Sequence, residues 1–534
     1  MTAAERRGRA VGEAGWSDYN GGMHRLFSTR IRVLWAAAVL LLVAVPAARL
    51  RAARRGVLTL TVHDKATGRP LAARMHLRNA RGRPVLPKGT IRWKDHFVFD
   101  GTVRLELRPG RYTFELEHGP EYRLFSGHFT LEDKADEART VELERFVDMA
   151  DEGWWSGDLH IHRKPEEMEL LVRAEDLHVA PLITWWNRRN QWADRSLPDP
   201  LRVEFRGRRW VHWMAGEDER EGGALLYFNL PRPLPIAAAG GEFPCSAAFL
   251  AQARRIDSVH VDIEKPFWWD VPLWLATGQV DSIGLAHNHF WRDRMLDNEA
   301  WGKPRDKKRY RSPFGTAWWS FDIYYHVLNS GIRLPPSAGS ASGVHPNPVG
   351  YNRVYVHCDD FSYDNWFNNL RAGQVVVTNG PMLRVRASGE LPGHVFYGTA
   401  GEELELPITM KLSTREKIAY VEIIKNGVVD QRVALRKPHR KSPVVRFRES
   451  GWFLVRVVGD HPKTLRFAST GPFYVEFEGK PRISRASCRF FLDWLTERAR
   501  RLPREPADEF QKIIPYYRQA RDFWRKRLSD ATVD

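Results

Sequence analysis

The sequence predicts a multidomain protein with an N-terminal β-sandwich, a central α/β region, a C-terminal β-domain and a helical tail. The chain has 534 residues, which gives room for roughly three or four domains of about 150 residues each. Apolar residues make up 43% of the sequence, enough for a sizeable core, which excludes a disordered chain. Stretches of alternating apolar residues lie on both sides of a centre in which short strands and helical segments follow each other.

The first 50 residues predict an export segment. Residues 33–48 form a nearly unbroken apolar run behind a basic flank. This run is shorter than the roughly 20 residues of a membrane-spanning helix, and it ends in Ala47 and Ala48, which is typical of a secretory signal peptide. Four arginines between positions 49 and 55 favour the alternative of an uncleaved membrane anchor. Both interpretations place the rest of the chain outside the cytoplasm, as a periplasmic, secreted or anchored protein.

The charge distribution argues against a nucleic-acid partner. Lysine and arginine outnumber aspartate and glutamate by 82 to 65, but seven of the 17 excess positive charges lie in the first 55 residues. The remaining excess is mild for such a long chain, and no basic helix interleaved with stacking aromatic residues stands out. The three cysteines are too few for a disulfide framework or a cysteine-type zinc site.

Residues 51–147 predict a β-sandwich. Leu58, Leu60 and Val62 alternate with polar residues, and a second alternating stretch surrounds Pro109-Gly110, which is a hairpin signal. The segment 62–77 resembles the carboxypeptidase-regulatory-like β-domains of exported proteins. Such modules support or present a neighbouring domain, so we assign no chemistry to this one.

Residues 148–385 predict an α/β domain with a largely parallel sheet. Residues 166–180 have helical spacing, and a short apolar strand follows at 181–184. Repetition of strand, helix and strand is typical of this class. The connections are rich in tryptophan, and we expect them to form long loops that line a cleft. The pairs concerned are Trp185-Trp186, Trp268-Trp269 and Trp318-Trp319.

Residues 386–480 predict a second β-sandwich-like domain, and residues 481–534 predict a helical tail. Asn426-Gly427 is a strong two-residue hairpin signal. In the tail, Ile513, Tyr517 and Trp524 fall on one helical face, which predicts packing on a domain and not on a membrane.

The clearest chemical signal is the segment Gly157-Asp158-Leu159-His160-Ile161-His162. Side chains alternate between the two faces of a strand, so Asp158, His160 and His162 are expected to point one way. Two imidazoles on one face can bind a single divalent cation through nitrogen, and a carboxylate can orient one ring. A pair of structural histidines at a strand end is the alternative.

This segment resembles the first motif of the PHP (polymerase and histidinol phosphatase) superfamily, in particular the exported metallohydrolases of the CehA/McbA type. Further matching segments follow in order over roughly residues 150–385. They include Leu182 to Asn187, Ala215-Gly216-Glu217, His260, Val280 to Ile283 and Ser337 to Gly343. The resemblance implies a distorted (β/α)7 barrel with up to three metals at the carboxyl ends of its strands.

The departures from the family pattern concern the metal ligands. The family's second motif reads Thr-Asp-His-Asn, but here Trp185 and Trp186 occupy the two ligand positions. Ala224 replaces another histidine, and Ala341 and Gly343 replace the aspartate and histidine of the closing motif. None of these side chains can ligate a metal, so we expect a reduced site and not the three-metal site of the family.

Four ligands of the family pattern remain, namely His160, His162, Glu217 and His260. This set suits zinc, manganese or iron, and the sequence does not choose between them. His287 and His289 form a second His-x-His pair, which either supplies replacement ligands or consists of loop histidines without a metal.

Several further residues are candidates for catalysis. Asp158, Glu217 or Asp218 could act as a general base towards a metal-activated water. Arg333 and Arg353 could hold an anionic substrate by bidentate contacts, although arginines at such positions also serve to bond loop carbonyls.

Three functions are consistent with these patterns. The first is an exported hydrolase that uses one or two divalent metals on a phosphoester, carbamate or related ester of a small molecule or envelope polymer. The second is a non-catalytic binding protein on a decayed barrel, in which the tryptophans stack on sugar rings. The third is a structural scaffold that keeps a metal for folding.

Overall fold

The computed structural model describes residues 55–434 and 442–534, which form a sheet-rich, multidomain structure with a C-terminal helical tail. The predicted signal peptide or anchor at residues 1–50 lies outside these residues. Within the described ranges, no helix is both long and apolar enough to cross a membrane.

The described residues of the N-terminal part form eight strands in two sheets, one of three strands and one of five. Every second side chain of the first strand, Gly56–Asp64, is buried, as the alternation of Leu58, Leu60 and Val62 predicts. Apolar side chains from both sheets share one core, so this part is a two-sheet sandwich. The strands are β1 (Gly56–Asp64), β2 (Ala72–Asn79), β3 (Ile91–Trp93), β4 (His96–Asp100), β5 (Thr102–Leu107), β6 (Gly110–Glu117), β7 (Phe125–Leu131) and β8 (Asp136–Leu143).

The central part alternates strands and helices around one large apolar core. Its elements are β9 (Trp154–Gly157), α1 (Met168–Ala174), β10 (Val179–Trp186), β11 (Arg189–Asn190), β12 (Arg202–Phe205), β13 (Arg209–Arg220), β14 (Gly223–Phe228), α2 (Ser246–Ala253), β15 (His260–Ile263), α3 (Val271–Thr277), β16 (Ser282–Ala286), α4 (Gly315–Asn329), β17 (Pro336–Ala338), β18 (Arg353–His357), α5 (Tyr363–Arg371) and β19 (Val375–Thr378).

The central sheet is mixed, which corrects the prediction of a largely parallel sheet. Strand β10 is parallel to β9 and β13, and β16 is parallel to β15 and β17. Strand β14, however, is antiparallel to both β13 and β15. Only two residues separate β13 from β14, and so short a connection can join antiparallel strands only. No ladder joins β17 to β18 within the described ranges, so the sheet does not close into a barrel.

The described residues of the C-terminal part form nine strands and the two helices of the tail, and the strand Phe467–Thr470 extends the central sheet by pairing with β19. The hairpin predicted at Asn426-Gly427 joins the strands Ile418–Lys425 and Val428–Val433. The elements are β20 (Met382–Ala387), β21 (Val395–Gly398), β22 (Leu404–Ser413), β23 (Ile418–Lys425), β24 (Val428–Val433), β25 (Val444–Phe447), β26 (Gly451–Gly459), β27 (Phe467–Thr470), β28 (Phe473–Phe477), α6 (Arg485–Arg501) and α7 (Ala507–Ser529).

The helical tail packs on the central part. Ile513, Tyr517 and Trp524 of α7 are buried, and the indole of Trp524 donates to the carbonyl oxygen of Pro272 at 2.9 Å. The packing also contains a buried ion pair, because Arg498 of α6 donates to Asp270 at 2.8 Å. Tyr517 donates to the same carboxylate oxygen at 2.7 Å, so Asp270 ties both tail helices to α3.

Most of the paired tryptophans belong to the core, which corrects the expectation that all of them line a cleft. Four indoles are buried, whereas Trp186 and Trp318 are half-buried. The buried ones are Trp185, Trp268, Trp269 and Trp319. A buried indole cannot stack on a sugar ring, so only two of the six remain available for such a contact.

We predict that Asp270→Ala lowers the free energy of unfolding by about 3 kcal/mol, the lower end of the range for breaking a buried ion pair. We expect a loss of stability at the lower end of that range because Arg498 keeps a second carboxylate partner, Glu242, to which it donates at 2.6 Å. Chemical denaturation followed by tryptophan fluorescence measures it. The control is Arg521→Ala in the exposed pair with Asp522, for which we expect a change below about 1 kcal/mol. Equal losses in both variants would contradict the role of Asp270.

Candidate metal centre

The segment that carries His160 and His162 continues from the carboxyl end of β9 and runs between two neighbours. On one side, the amide of Ile183 in β10 donates to the carbonyl oxygen of Ile161 at 2.9 Å. On the other side, the amide of His162 donates to the carbonyl oxygen of Ser342 at 2.7 Å. The backbone of the segment is therefore fixed by β10 on one side and by the loop after β17 on the other.

Two glycines after β17 allow this close packing. A Cβ atom at Gly339 would lie 2.4 Å from the Cβ atom of His160. A Cβ atom at Gly343 would lie 2.4 Å from the carbonyl oxygen of His162, and Gly343 has a positive φ of 102°. The loop from 339 to 343 thus supplies backbone that supports the histidines, and its Ala341 and Gly343 have no side chain that can ligate a metal.

Three ligand-type side chains meet above this segment, namely His160, His162 and Glu217 near the carboxyl end of β13. The two Nε2 atoms are 3.0 Å apart, and Glu217 Oε2 lies 3.6 Å from His160 Nε2 and 3.2 Å from His162 Nε2. Two unprotonated nitrogens would repel each other at this distance, so a proton or a cation has to lie between them.

These residues fit a divalent cation. Ligands about 2.0–2.1 Å from a tetrahedral zinc are themselves about 3.3 Å apart, which is close to the three spacings observed. In addition, Glu217 Oε2 is buried without a hydrogen-bond partner in the described part of the chain, as expected for an oxygen kept for a ligand. Two histidines and one glutamate form a three-ligand set that leaves a fourth position open.

Glu264, which the sequence analysis missed, supports the centre from behind. Its Oε1 atom lies 3.3 Å from His160 Nδ1, so it can accept the N–H of that ring and leave Nε2 free for a cation. Lys265 and Trp268 donate to its other oxygen at 2.5 and 2.9 Å. Asn288 donates to Oε1 at 2.7 Å. The carboxylate is thereby held in one orientation.

Charge in the centre is balanced by close contacts. Burial lowers the pKa of His160, but Glu217 and Glu264 outweigh it and raise this pKa to about 10. Burial likewise raises the pKa of Glu217, and the two histidines outweigh it and lower this pKa to about 2. For His162 burial prevails over Glu217, and its pKa is lowered. The cluster therefore attracts one positive charge strongly.

Asp158 does not point into the cluster with the two histidines. Its carboxylate is fully buried and accepts four hydrogen bonds, from the amides of His160, Ser340 and Gly350 and from the hydroxyl of Ser340. The chain turns just after β9, so the regular alternation of a strand does not apply to Asp158. The structure thus places this predicted general base as an anchor for the neighbouring loops.

His260 lies at the start of β15, away from the three donors. Its Nε2 atom is 2.7 Å from Ser282 Oγ, and its ring packs on Phe228 and Phe367. His260, Asp262 and Glu264 alternate along one side of the strand, and only Glu264, beyond the carboxyl end, reaches His160. His260, which the sequence predicted as a ligand, is therefore separated from the centre by two steps along the same face of β15.

The second His-x-His pair makes its own contacts. His287 Nδ1 accepts the amide of His289, and its Nε2 lies 3.0 Å from Ser320 Oγ, so no lone pair remains for a cation. His289 Nδ1 lies 2.9 Å from the carbonyl oxygen of Asn298. That contact leaves Nε2 of His289 unprotonated, but this ring is not among the three converging donors.

The acidic run after Glu217 divides between the two faces of β13. Asp218 forms a bidentate ion pair with Arg220, at 2.5 and 2.8 Å, and therefore faces away from the centre. Glu219 lies on the same face as Glu217, and the indole of Trp186 donates to it at 3.0 Å. Burial and the neighbouring Glu217 raise the pKa of Glu219 to about 8.

The two arginines proposed to hold an anionic substrate lie apart from the three donors. Arg333 is half exposed, pairs with Glu476 and covers the ring of Tyr474. Arg353 is buried and donates to the carbonyl oxygens of Gly350 and Glu175, at 2.6 and 3.1 Å. Both therefore bond groups outside the cluster of His160, His162 and Glu217.

A second group of ligand-type side chains lies in the N-terminal sandwich. His76 Nδ1 and His96 Nδ1 are 3.2 and 3.1 Å from the two carboxylate oxygens of Asp95. Burial lowers the pKa of His76, and it lowers the pKa of His96 to about 3. Asp95 can orient both neutral rings by accepting their N–H groups, which accounts for the group without a cation.

Comparison with known proteins gives no family for this chain. No family model matches it, and no curated protein matches it. Among solved structures, it is similar at 10% identity and a TM-score of 0.15 to a β-glucuronidase of Bacteroides uniformis. A calcium-binding mutant of B. uniformis β-glucuronidase 2 matches at 10% identity and a TM-score of 0.13. The alignments cover 82% and 81% of this chain but only 59% of each glucuronidase, and likenesses this weak carry no argument.

His260 predicts a pH dependence of stability. Burial lowers its pKa to about 3, well below the usual value of 6.5. Between these values the unfolded chain binds a proton that the folded chain excludes, so the stability falls as the pH drops from 6.5 towards 3. We expect His260→Gln to make this fall shallower by up to about 1.4 kcal/mol per pH unit, measured by urea unfolding at several pH values. His128→Gln, at an exposed position, is the control, and equal slopes in both variants would contradict the assignment.

Proposed function

We propose that this chain is an exported metal-dependent hydrolase of the PHP type with a reduced centre. The observation that carries the proposal is the convergence of His160, His162 and Glu217 on one point, with Glu264 behind His160. A phosphoester, carbamate or related ester of a small molecule or envelope polymer is the proposed substrate. The signal peptide or anchor predicted for residues 1–50 is part of this proposal.

The position of the centre supports a variant of the distorted (β/α)7 barrel. His160 and His162 follow the carboxyl end of β9, Glu264 follows β15, and Asn288 follows β16. Glu217 lies close to the carboxyl end of β13. Side chains of a catalytic centre in α/β barrels gather at this end of the strands. In the proposed variant, strand β14 is antiparallel and the sheet remains open, with no ladder between β17 and β18 in the described residues.

The donor set supports hydrolysis. A bound divalent cation supplies Lewis acidity and lowers the pKa of a coordinated water. His160, His162 and Glu217 would hold the cation, and Glu264 would fix the tautomer of His160. Glu219 and the indole of Trp186, which donates to it, lie beside these ligands. There they can orient a substrate and exclude bulk water.

Measurement of metal content tests the proposal. We expect protein purified without chelators to contain about one zinc, manganese or iron per chain. His160→Ala removes a ligand and should abolish the metal, whereas His260→Gln should retain it. Elemental analysis of folded protein, checked by circular dichroism, gives the result. Wild-type protein without stoichiometric metal would exclude the hydrolase.

Activity separates the hydrolase from its alternatives. A panel of bis(p-nitrophenyl) phosphate, p-nitrophenyl acetate and a p-nitrophenyl carbamate should give hydrolysis that is lost in His160→Ala. Metal in the wild type with no hydrolysis of any of these esters would favour the scaffold. The burial of four tryptophans already disfavours the glycan-stacking protein.

Glu264→Gln tests the support of His160. The amide cannot accept the N–H of the ring as strongly as the carboxylate, so we expect the metal affinity to fall by about 10–100-fold. Competition with a fluorescent chelator measures the affinity. Glu167→Gln, in the pair with Arg163, removes a carboxylate outside the centre and should leave the affinity unchanged. Equal affinities in the Glu264 variant and the wild type would refute the role of Glu264.

A further inference from the structure

A polar cavity of about 420 Å³ lies where the N-terminal, central and C-terminal parts meet. Its walls include Arg74 of β2, Arg353 of β18, Arg415 after β22 and Arg466 before β27. None of the residues of the candidate metal centre belongs to its lining. The cavity is therefore a separate place in the molecule, and the proposed hydrolase function does not explain it.

The lining carries an excess of positive charge. Six arginines face three glutamates, Glu117, Glu175 and Glu416, which leaves an excess of three positive charges. The arginines are Arg74, Arg123, Arg292, Arg353, Arg415 and Arg466. Glu115 and Glu144, outside the lining, pair with Arg292 and Arg123 and reduce the excess to one. Even with these included, the carboxylates do not balance the guanidinium groups.

Arg353 is the most unusual member of this group. It is 1% exposed, and among the described residues it bonds backbone carbonyl oxygens only, those of Gly350 and Glu175. Its Nη1 atom is buried without a partner in the described part of the chain. A buried cation with an unsatisfied donor is unfavourable unless an anion or another acceptor completes its hydrogen bonds, and this favours a ligand beside Arg353.

Other arginines of the lining also keep free donors. The Nε atoms of Arg74, Arg415 and Arg466 are buried without a partner among the described residues. Arg466 donates to Tyr351 and to two carbonyl oxygens, and its nearest carboxylate, Glu416, is 3.8 Å away. Burial lowers the pKa of Arg415 despite its pair with Glu117.

We propose that this cavity binds a tetrahedral oxyanion, a phosphate or sulfate group that is free or part of a monoester. A guanidinium group presents its N–H donors as a planar fork that matches the oxygens of such groups. The arginines come from three parts of the chain and surround the cavity from several directions, which suits a tetrahedral anion better than a flat carboxylate. The volume lies within the range of small-ligand pockets, about 300–1,000 Å³, so it has room for more than the anionic group.

Anion binding to the full-length protein tests the proposal. The probes are inorganic phosphate, sulfate and, as a monoester, glycerol phosphate, with chloride at matched ionic strength as the reference. Isothermal titration calorimetry and thermal unfolding give the affinity and the stabilisation. We expect saturable binding of at least one tetrahedral oxyanion and a higher unfolding temperature than in chloride. Effects identical to those of chloride would overturn the proposal.

Variants locate the site. Arg415→Gln and the rim variant Arg123→Gln each remove a guanidinium from the lining and should weaken binding about tenfold or more, as for loss of a charge-assisted hydrogen bond. Arg415→Lys keeps the charge and separates binding from folding, because it should lose less affinity than Arg415→Gln. Arg333→Gln, in the pair with Glu476 outside the cavity, is the matched control and should bind like the wild type. Equal affinity of the wild type and both glutamine variants of the lining would place the anion elsewhere and refute the proposal.

Discussion

The central part of the molecule depends on one buried carboxylate, that of Asp158. Four donors reach it, and the hydroxyl of Ser340 and the amide of Gly350 are within 2.5 and 2.7 Å of the same oxygen. Burial raises the pKa of Asp158, and these hydrogen bonds oppose that effect. A buried carboxylate is tolerated only when such donors surround it, so the loops that supply them must keep their positions. One side chain thus fixes the segment of His160 against the loop that follows β17.

The same carboxylate connects the two candidate ligand sites. The amide of Gly350 donates to Asp158, and the carbonyl oxygen of Gly350 accepts from Arg353 at 2.6 Å. Gly350 has a positive φ of 70°, and a Cβ atom there would lie 2.7 Å from Arg353 Nη2. The backbone of Gly350 therefore links the segment that carries the metal donors to Arg353 of the oxyanion cavity. The geometry of both sites rests on this short chain of hydrogen bonds.

The sequence predicts the donors that are close along the chain or follow a strand pattern. His160 and His162 lie two residues apart and meet. Glu217 joins them, and it was expected from the resemblance to the PHP pattern and not from its spacing. His260 shows the limit of this reasoning. The alternation of β15 identifies the face that carries His260, Asp262 and Glu264, but it does not tell which level of the sheet reaches the centre. That level depends on the offset between β15 and its neighbours, which only the folded sheet defines.

The sequence also does not show which charged residues meet in the fold when they lie far apart along the chain. The arginines of the cavity come from positions 74 to 466, and only Arg353 among them could be named from the sequence.

The fold likewise divides into features that local sequence signals predict and features that they do not. Local signals predicted the sandwich strands, the hairpin at Asn426-Gly427 and the apolar face of the tail, whereas the two-residue turn that makes β14 antiparallel carried no recognised turn motif.

Trp185 and Trp186 limit what the centre can hold. Trp186 packs on the ring of His162 at 5.0 Å, and Trp185 fills the space beside Gly216, where a Cβ atom would lie 1.8 Å from the indole. The proposed resemblance to the PHP pattern expects metal ligands at these two positions, and two indoles occupy them instead. A second divalent cation would lie close to the first in a site of low dielectric constant, where the two charges would repel each other strongly. In the proposed hydrolase, the two indoles thus favour the chemistry of a single cation, with Trp186 between the centre and bulk water.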